Sequence, residues 1–403
     1  MAVSRRSFIA SVGAGTAGAL TLPLSLPLTS NWRGAEALGA EVARVGQQGG
    51  SAQQPTLETR RADRLLASQP GMIRIDSNEN PNGPGTRVFE AITAHFGESN
   101  RYPVRGEDEL IAAICTIHGV QPENVMLGCG SGELLRAAVR GFTSVEHGLV
   151  SPNPTFEAPG NFAKFIGSPV IAPPVDGKLR LDLDAMVRSA KGAGLVFFCN
   201  PNNPTATVHG KGAVAAFVEQ VNRTSPDTTI LIDEAYHEYV ADASYATSVP
   251  IALSNPRVFV TRTFSKVFGM AGLRVGYAIG RKETLARLQP WLLGSNVNQL
   301  ALAAATVAIA DTKHIAHEQQ LNRDARAYTR TFFERAGYTV GGSDANFMMV
   351  DVRRDVKALK AELLGLKVAV GRAFPPLNTH LRISIGTMAE MTKALAVIKP
   401  TLA

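Results

Sequence analysis

Short, continuous apolar runs alternate with longer segments of helical period through the middle of the chain. Val125–Leu127, Gly148–Val150, Val170–Ala172, Leu195–Phe198, Thr229–Ile232, Arg257–Val260 and Val275–Ile279 have the length and composition of strands. A strand that is apolar at nearly every position has both faces covered, which is the pattern of a parallel sheet between helices. Arg87–Phe96, Glu107–His118 and Glu133–Phe142 repeat apolar residues at three- and four-residue spacing and predict covering helices. The alternation predicts an α/β fold with a mostly parallel sheet flanked by helices. An apolar, Ala-rich stretch from Trp291 to Ala310 predicts a long helix leading into a second region of mixed helix and strand, which ends in a helix over Ala389–Leu402.

The N-terminus breaks this pattern. Ser4-Arg5-Arg6-Ser7-Phe8-Ile9 precedes an Ala/Gly/Leu-rich stretch that runs to about Leu28, the arrangement of a twin-arginine export signal. An ordinary signal peptide or a membrane anchor shares some of these features. Ala35-Glu36-Ala37 is a small-x-small cleavage site, with Leu38-Gly39-Ala40 as a second candidate, so a signal peptide is expected over 1–37. Pro23 and Pro27 interrupt the apolar stretch and argue against a stable membrane span. Residues 38–56 are polar and rich in Gly and Gln, the composition of a flexible spacer. Export places the protein in the periplasm or beyond; without it, the cytoplasm is the expected compartment.

Composition narrows the function. A chain of 403 residues with 45% hydrophobic content can bury more than one core, and with 6% aromatics that core rests on Val, Leu, Ile and Ala. The formal charge of +7 comes from scattered Lys and Arg without interleaved aromatics, which argues against a nucleic-acid partner and suits an anionic cofactor and anionic substrates. Cys115, Cys129 and Cys199 are odd in number and form no disulfide framework. His95, His118, His147 and His209 lack metal-ligand spacing, and no metal is expected.

The candidate chemistry gathers around Lys266. In Thr261-Arg262-Thr263-Phe264-Ser265-Lys266, followed by Gly and small residues up to Arg274, a lysine amine sits among hydroxyls and a second cation. Such an amine can form a Schiff base with an aldehyde cofactor, while Thr263, Ser265 and Arg274 hold that cofactor's phosphate. Two upstream strands end in polar groups: Leu195–Phe198 runs into Cys199-Asn200-Pro201-Asn202-Asn203, and Thr229–Ile232 into Asp233-Glu234-Ala235-Tyr236. The carboxyl ends of strands are where open α/β sheets bind ligands, and a carboxylate there can pair with a protonated pyridine nitrogen.

The ordered set Asn203, Asp233, Tyr236, Lys266 and Arg274 resembles the fold-type I pyridoxal-phosphate (PLP) aminotransferases, and most closely the histidinol-phosphate aminotransferase group. The resemblance runs from about Asp76 to Met388. It includes Asp76–Gly83, Asn100-Arg101-Tyr102-Pro103, Gly128–Glu133, Pro154-Thr155-Phe156 and Leu381–Gly386. It implies a fold-type I PLP transferase with an N-terminal segment 57–85 packing with the small domain, a large PLP-binding domain 86–290 and a smaller α/β domain 291–403.

It also implies roles. Lys266 carries PLP and moves the Cα proton. Asp233 pairs with the ring nitrogen, and Asn203 and Tyr236 hold the ring hydroxyl. Phe156 stacks on the ring. Gly130, Ser131, Gly132, Thr263, Ser265 and Arg274 bind the phosphate, joined by Tyr102 of a second subunit in a homodimer that shares its active sites. Arg382 grips the substrate carboxylate, with Asn80 and Arg372 also on the substrate side. The substrates implied are an amino acid, or an amine like histidinol phosphate, and a 2-oxo acid such as 2-oxoglutarate.

The chain departs from the family pattern at Pro375-Pro376, beside Arg372, and at Ala206, where glycine is usual. An exported protein also fits poorly with cytoplasmic histidine synthesis. Decarboxylation or other Cα-bond cleavage on the same fold, and a non-catalytic binding protein, stay open as alternatives.

Overall fold

The computed structural model describes Leu65 and residues 67–402. The leader over 1–37, the spacer over 38–56 and the first residues of the 57–85 segment lie outside the described residues.

The strands in chain order are β1 (Ile73–Ile75), β2 (Val125–Gly128), β3 (Leu149–Val150), β4 (Val170–Ile171), β5 (Leu195–Cys199), β6 (Thr229–Asp233), β7 (Val258–Thr263), β8 (Gly276–Gly280), β9 (Thr339–Val340), β10 (Phe347–Asp351), β11 (Val368–Val370) and β12 (His380–Ser384). Seven of them form one sheet in the order β2-β8-β7-β6-β5-β3-β4. β4, β3, β5, β6 and β7 run parallel, while β8 is antiparallel to both β7 and β2. Every residue of β5, β6 and β7 is buried, Thr261, Arg262 and Thr263 of β7 included, as strands covered by helices on both faces require.

One consequence of this topology matters for chemistry. The carboxyl ends of β5, β6 and β7, the carboxyl end of β2 and the amino end of the reversed β8 all meet at one edge. Cys199 is in register with Asp233, Asp233 with Thr261, and Gly128 with Gly276. The turns leaving these positions carry Asn203, Tyr236, Lys266, Arg274 and Gly130.

A second core lies in the C-terminal part. β12, β10 and β9 form an antiparallel sheet, with Met349 opposite Arg382, and β1 pairs in parallel with β11. Ile75, Phe333, Met348, Leu381 and Leu395 pack together here. β1 thus fastens the start of the described chain to β11 and the C-terminal core and brings Asp76 and Asn78 beside Arg382 and Ser384 of β12.

The apolar stretch expected as a helix from Trp291 is helical only over Gln299–Ala310, capped by the Asn298 side chain on the Ala301 N–H at 2.9 Å. Gly294, Asn296 and Asn298 interrupt the run, and Asn is a better helix cap than helix interior. Ala301, Leu302, Ala305 and Ile309 of this helix pack in the core of the seven-stranded sheet rather than in the C-terminal core. Among the described residues no helix is long and apolar enough to cross a membrane.

Candidate active site

Asp233 ends β6 with its carboxylate buried. Oδ1 accepts the Thr261 hydroxyl at 2.9 Å, and Oδ2 has the Cys199 thiol at 3.9 Å. Removal from water pushes this carboxyl up to about 6, against the opposing pull of the Thr261 hydrogen bond and the Lys266 charge. The next residue, Glu234, is pinned by a buried ion pair with Arg262 at 2.8 Å, which fixes the backbone on the far side of the strand.

Lys266 leaves β7 through a turn held by hydroxyls. Thr263 Oγ1 donates to Ser265 Oγ at 3.0 Å and accepts the Ser265 N–H at 3.1 Å. The Lys266 amine donates to the Asn78 carbonyl at 3.0 Å and lies 5.4 Å from the centre of the Tyr236 ring. Burial, and next the charge of Arg382, lower its pKa to about 8, so that a minority of it, roughly a fifth, is already a neutral base near physiological pH.

Tyr236 turns its hydroxyl toward two amides, Asn78 Nδ2 at 3.2 Å and Asn203 Nδ2 at 3.4 Å. Asn203 Oδ1 in turn accepts Arg382 Nη1 at 2.8 Å, and Arg382 Nη2 reaches the Asp76 carbonyl at 2.6 Å. Among the described residues, Arg382 Nε and Asp76 Oδ1 are buried without a hydrogen-bond partner. A buried guanidinium with only neutral partners and a spare N–H is arranged for an anion.

The glycine-rich turn after β2 opens the helix Ser131–Phe142. Gly130 has φ 72° and lies against the Arg274 guanidinium, so a side chain there would collide with it. Arg274 Nη1 donates to Ser265 Oγ at 3.2 Å, linking the two turns. The first-turn N–H groups of a helix lack intrahelical partners and attract anions, and Ser131 and Gly132 supply them beside Arg274.

The structure therefore brings Asn203, Asp233, Tyr236, Lys266 and Arg382 into one cluster and Gly130, Ser131, Gly132, Thr263, Ser265 and Arg274 into another beside it. Phe156 is half-buried against the cluster of apolar residues that includes Cys199. Arg372 lies close to Arg382, with its guanidinium on Glu157 and over the Phe374 ring. Tyr102 is 87% exposed.

Asn80 is not brought in. Its amide braces the Val267 carbonyl and Glu318, each at 2.9 Å. The position beside the amine belongs to Asn78, which sequence reasoning passed over although it lies in the same motif. Asn78 holds φ 55°, a left-handed conformation that Asn tolerates better than most residues. Its backbone N–H and side-chain Oδ1 both bond Ser384 Oγ at 2.8 Å. Ala206 also sits at positive φ, 58°, which explains why glycine is usual there and costs alanine about 1–2 kcal/mol.

Fold and cluster together define a fold-type I pyridoxal-phosphate enzyme. The aminotransferase class I and II family model matches residues 70–398. The histidinol-phosphate aminotransferase of Symbiobacterium thermophilum is 33% identical over 334 residues, covering 82% of this chain and 91% of that protein. Histidinol-phosphate aminotransferase 1 of Nitrosococcus oceani is 32% identical over 373 residues, 91% of this chain and 99% of that protein. The structure of the Sinorhizobium meliloti histidinol-phosphate aminotransferase in complex with pyridoxal-5′-phosphate superposes with a TM-score of 0.77 at 25% identity, covering 87% of this chain and 98% of that one. The chain belongs to the class I and II aminotransferases, and its cofactor is pyridoxal 5′-phosphate.

The residues present fit that cofactor. There is a buried carboxylate for a pyridinium nitrogen, a tyrosine hydroxyl and an amide for a phenolic oxygen, and a helix start with an arginine for a phosphate. A primary amine with a lowered pKa stands for the aldehyde.

Proposed function

We propose that this protein transfers the amino group of an amino acid to a 2-oxo acid such as 2-oxoglutarate, with Lys266 as the residue that carries the cofactor and moves the proton at the substrate Cα. Bound pyridoxal phosphate supplies the aldehyde that captures amines and a ring that withdraws electrons. Asp233 keeps the ring nitrogen protonated, Asn203 and Tyr236 hold the ring oxygen, and Phe156 covers the ring face. Gly130, Ser131, Gly132, Thr263, Ser265 and Arg274 take the phosphate. Arg382 holds the substrate's anionic group. The observation that carries the reading is the Lys266 amine resting on the Asn78 carbonyl, inside the hydrogen-bonded cluster that joins Asn78, Tyr236, Asn203 and Arg382.

The working unit is proposed to be a homodimer. Phe89, Phe96, Tyr102 and Val104 are large apolar or aromatic side chains left exposed along one stretch of chain, which suits a surface covered by a second copy. Tyr102 would then reach the partner's phosphate site. In the test, the folded chain is sized by light scattering, and the dimeric fraction is loaded with pyridoxal phosphate and mixed with single amino donors, histidinol phosphate included. A dimer whose cofactor absorption converts to the pyridoxamine form, with keto product, is expected. A monomer sinks the shared site, and CO₂ in place of a keto product replaces transamination with decarboxylation.

We also propose that the twin-arginine leader exports the folded protein after its cofactor is loaded. A reporter fused to residues 1–40 should lose export on Arg5→Lys plus Arg6→Lys. Export that survives the double change overturns the twin-arginine route.

A further inference from the structure

Arg382 lies in β12 and Arg372 just past the end of β11, and the two approach the same place. Gly371 donates its N–H to the Arg382 carbonyl at 3.0 Å, and a side chain at Gly371 would collide with the Arg382 backbone. Arg372 therefore leaves β11 right beside Arg382. Both guanidinium groups lie over the Phe374 ring, at 4.0 Å for Arg372 and 4.9 Å for Arg382. Two adjacent cations would ordinarily make a site for a doubly charged anion.

The two are not equivalent. Arg382 is buried, bonds only neutral oxygens, and has an N–H without a partner. Arg372 is already matched by the Glu157 carboxylate, which arrives from the other side of the site, immediately after Phe156. Asp76 is the remaining acid near Arg382, and its Oδ2 accepts the Ser77 hydroxyl at 2.7 Å. At most one positive charge is left over for a ligand.

From this arrangement we infer that Glu157, through its ion pair with Arg372, is a specificity-determining residue that sets the site for a monoanionic carboxylate over a dianionic phosphate. The inference rests on the proposed role of Arg382 as the holder of the substrate's anionic group. A carboxylate of charge −1 needs no more than Arg382, the guanidinium that no carboxylate bonds directly. A phosphate monoester, near −2 at neutral pH, would face Glu157 with no second free cation to meet it. Replacing Glu157 by glutamine keeps the shape, removes the negative charge and frees Arg372. A dianion gains about twice what a monoanion gains from that change. The pair is roughly one-third exposed on each side, so solvent screens it. The expected preference change is about tenfold rather than thousandfold.

L-Histidine and L-histidinol phosphate make a matched pair of probes, because they share the imidazole and the amine and differ at the anionic end. Their dissociation constants are measured by calorimetry on the chain loaded with pyridoxal phosphate and carrying Lys266→Ala, which binds without turnover. The comparison is made with Glu157 intact, with Glu157→Gln and with Glu157→Asp. The ratio of the two constants is expected to move about tenfold toward histidinol phosphate in Glu157→Gln and to stay put in Glu157→Asp. The kcat/KM ratio of the Lys266-bearing enzyme should follow.

If both ligands weaken together, or neither changes, Glu157 only ties two layers of the fold and the inference is overturned. Glu157→Asp also guards against misfolding, since a charge-keeping variant that shifts the ratio as much as glutamine does speaks against a charge effect. Should neither probe bind even with Glu157 in place, it is the role of Arg382 that falls.

Discussion

Lys266→Ala is expected to reduce turnover with any amino donor by at least about 10³-fold, while the folded chain still retains pyridoxal phosphate by its phosphate and ring contacts. No other amine can take over. The cations whose charge acts on the Lys266 amine are Arg382 and Arg274, and arginine does not act as a base near neutral pH. The unaltered enzyme carries a companion signature in its pH profile. Burial and the Arg382 charge lower the Lys266 pKa to about 8, and a general base must be neutral. The rate of the proton-transfer step should therefore rise with pH through about 8 and then level off. Arg382→Gln removes the larger of the two cationic causes of the lowering, the other being Arg274, and should move the rising limb to higher pH. Stopped-flow absorption of the cofactor over a pH series checks both. A limb that does not move would mean that Arg382 stays electrostatically remote from the amine.

Much of this arrangement is legible in the residues because it depends on local chemistry. A strand stretch buried on both faces is mostly apolar, so β5, β6 and the first half of β7 stand out, and the polar residues that follow these runs land at the sheet edge. Asp233 and Asn203 are found this way, and Lys266 by the hydroxyl residues before it and the arginine after it. What stayed hidden depends on contacts distant in sequence or on backbone angles. Asn78 and Asn80 sit in one motif with the same side chain. Only the left-handed turn at Asn78 and the approach of Ser384 decide which amide joins the site. Glu157 and Arg372 are far apart in the chain, and nothing in either neighbourhood announces the pair. The helix beginning at Gln299 was blurred for the opposite reason: the apolar residues from Trp291 onward share its composition but not its period, and Gly294 and Asn298 set the boundary.

Asp233→Asn should separate catalysis from stability. An amide keeps the shape and can still accept the Thr261 hydroxyl, but it cannot hold a proton on a pyridine nitrogen. Losing that charge interaction at the electron-withdrawing ring is expected to lower kcat about 10²- to 10³-fold. The KM for the 2-oxo acid should move little, because the partner proposed for Asp233 is the ring and not the substrate's anionic group. The cofactor-free protein should respond in the opposite sense. The folded-state pKa of Asp233, about 6, lies above the ordinary 3.8, so the folded state holds the proton more tightly than the unfolded chain. Below about pH 4 the carboxyl is neutral in both states and costs nothing. Between about 4 and 6 its ionisation progressively destabilises the fold, and above 6 the cost is complete, on the order of 2–3 kcal/mol. At pH 7.5 the cofactor-free Asp233→Asn protein should therefore melt at a higher temperature than the unsubstituted one, with the difference vanishing toward pH 4. Binding of pyridoxal phosphate should reverse the order, since a protonated ring nitrogen turns the buried carboxylate from a liability into half of an ion pair. Thermal melts of both proteins, with and without cofactor, read all four states. A variant that melts lower than the parent without cofactor at pH 7.5 would show that Asp233 is ionised and stabilised by the fold itself, and that its carboxylate is not held in waiting for the ring.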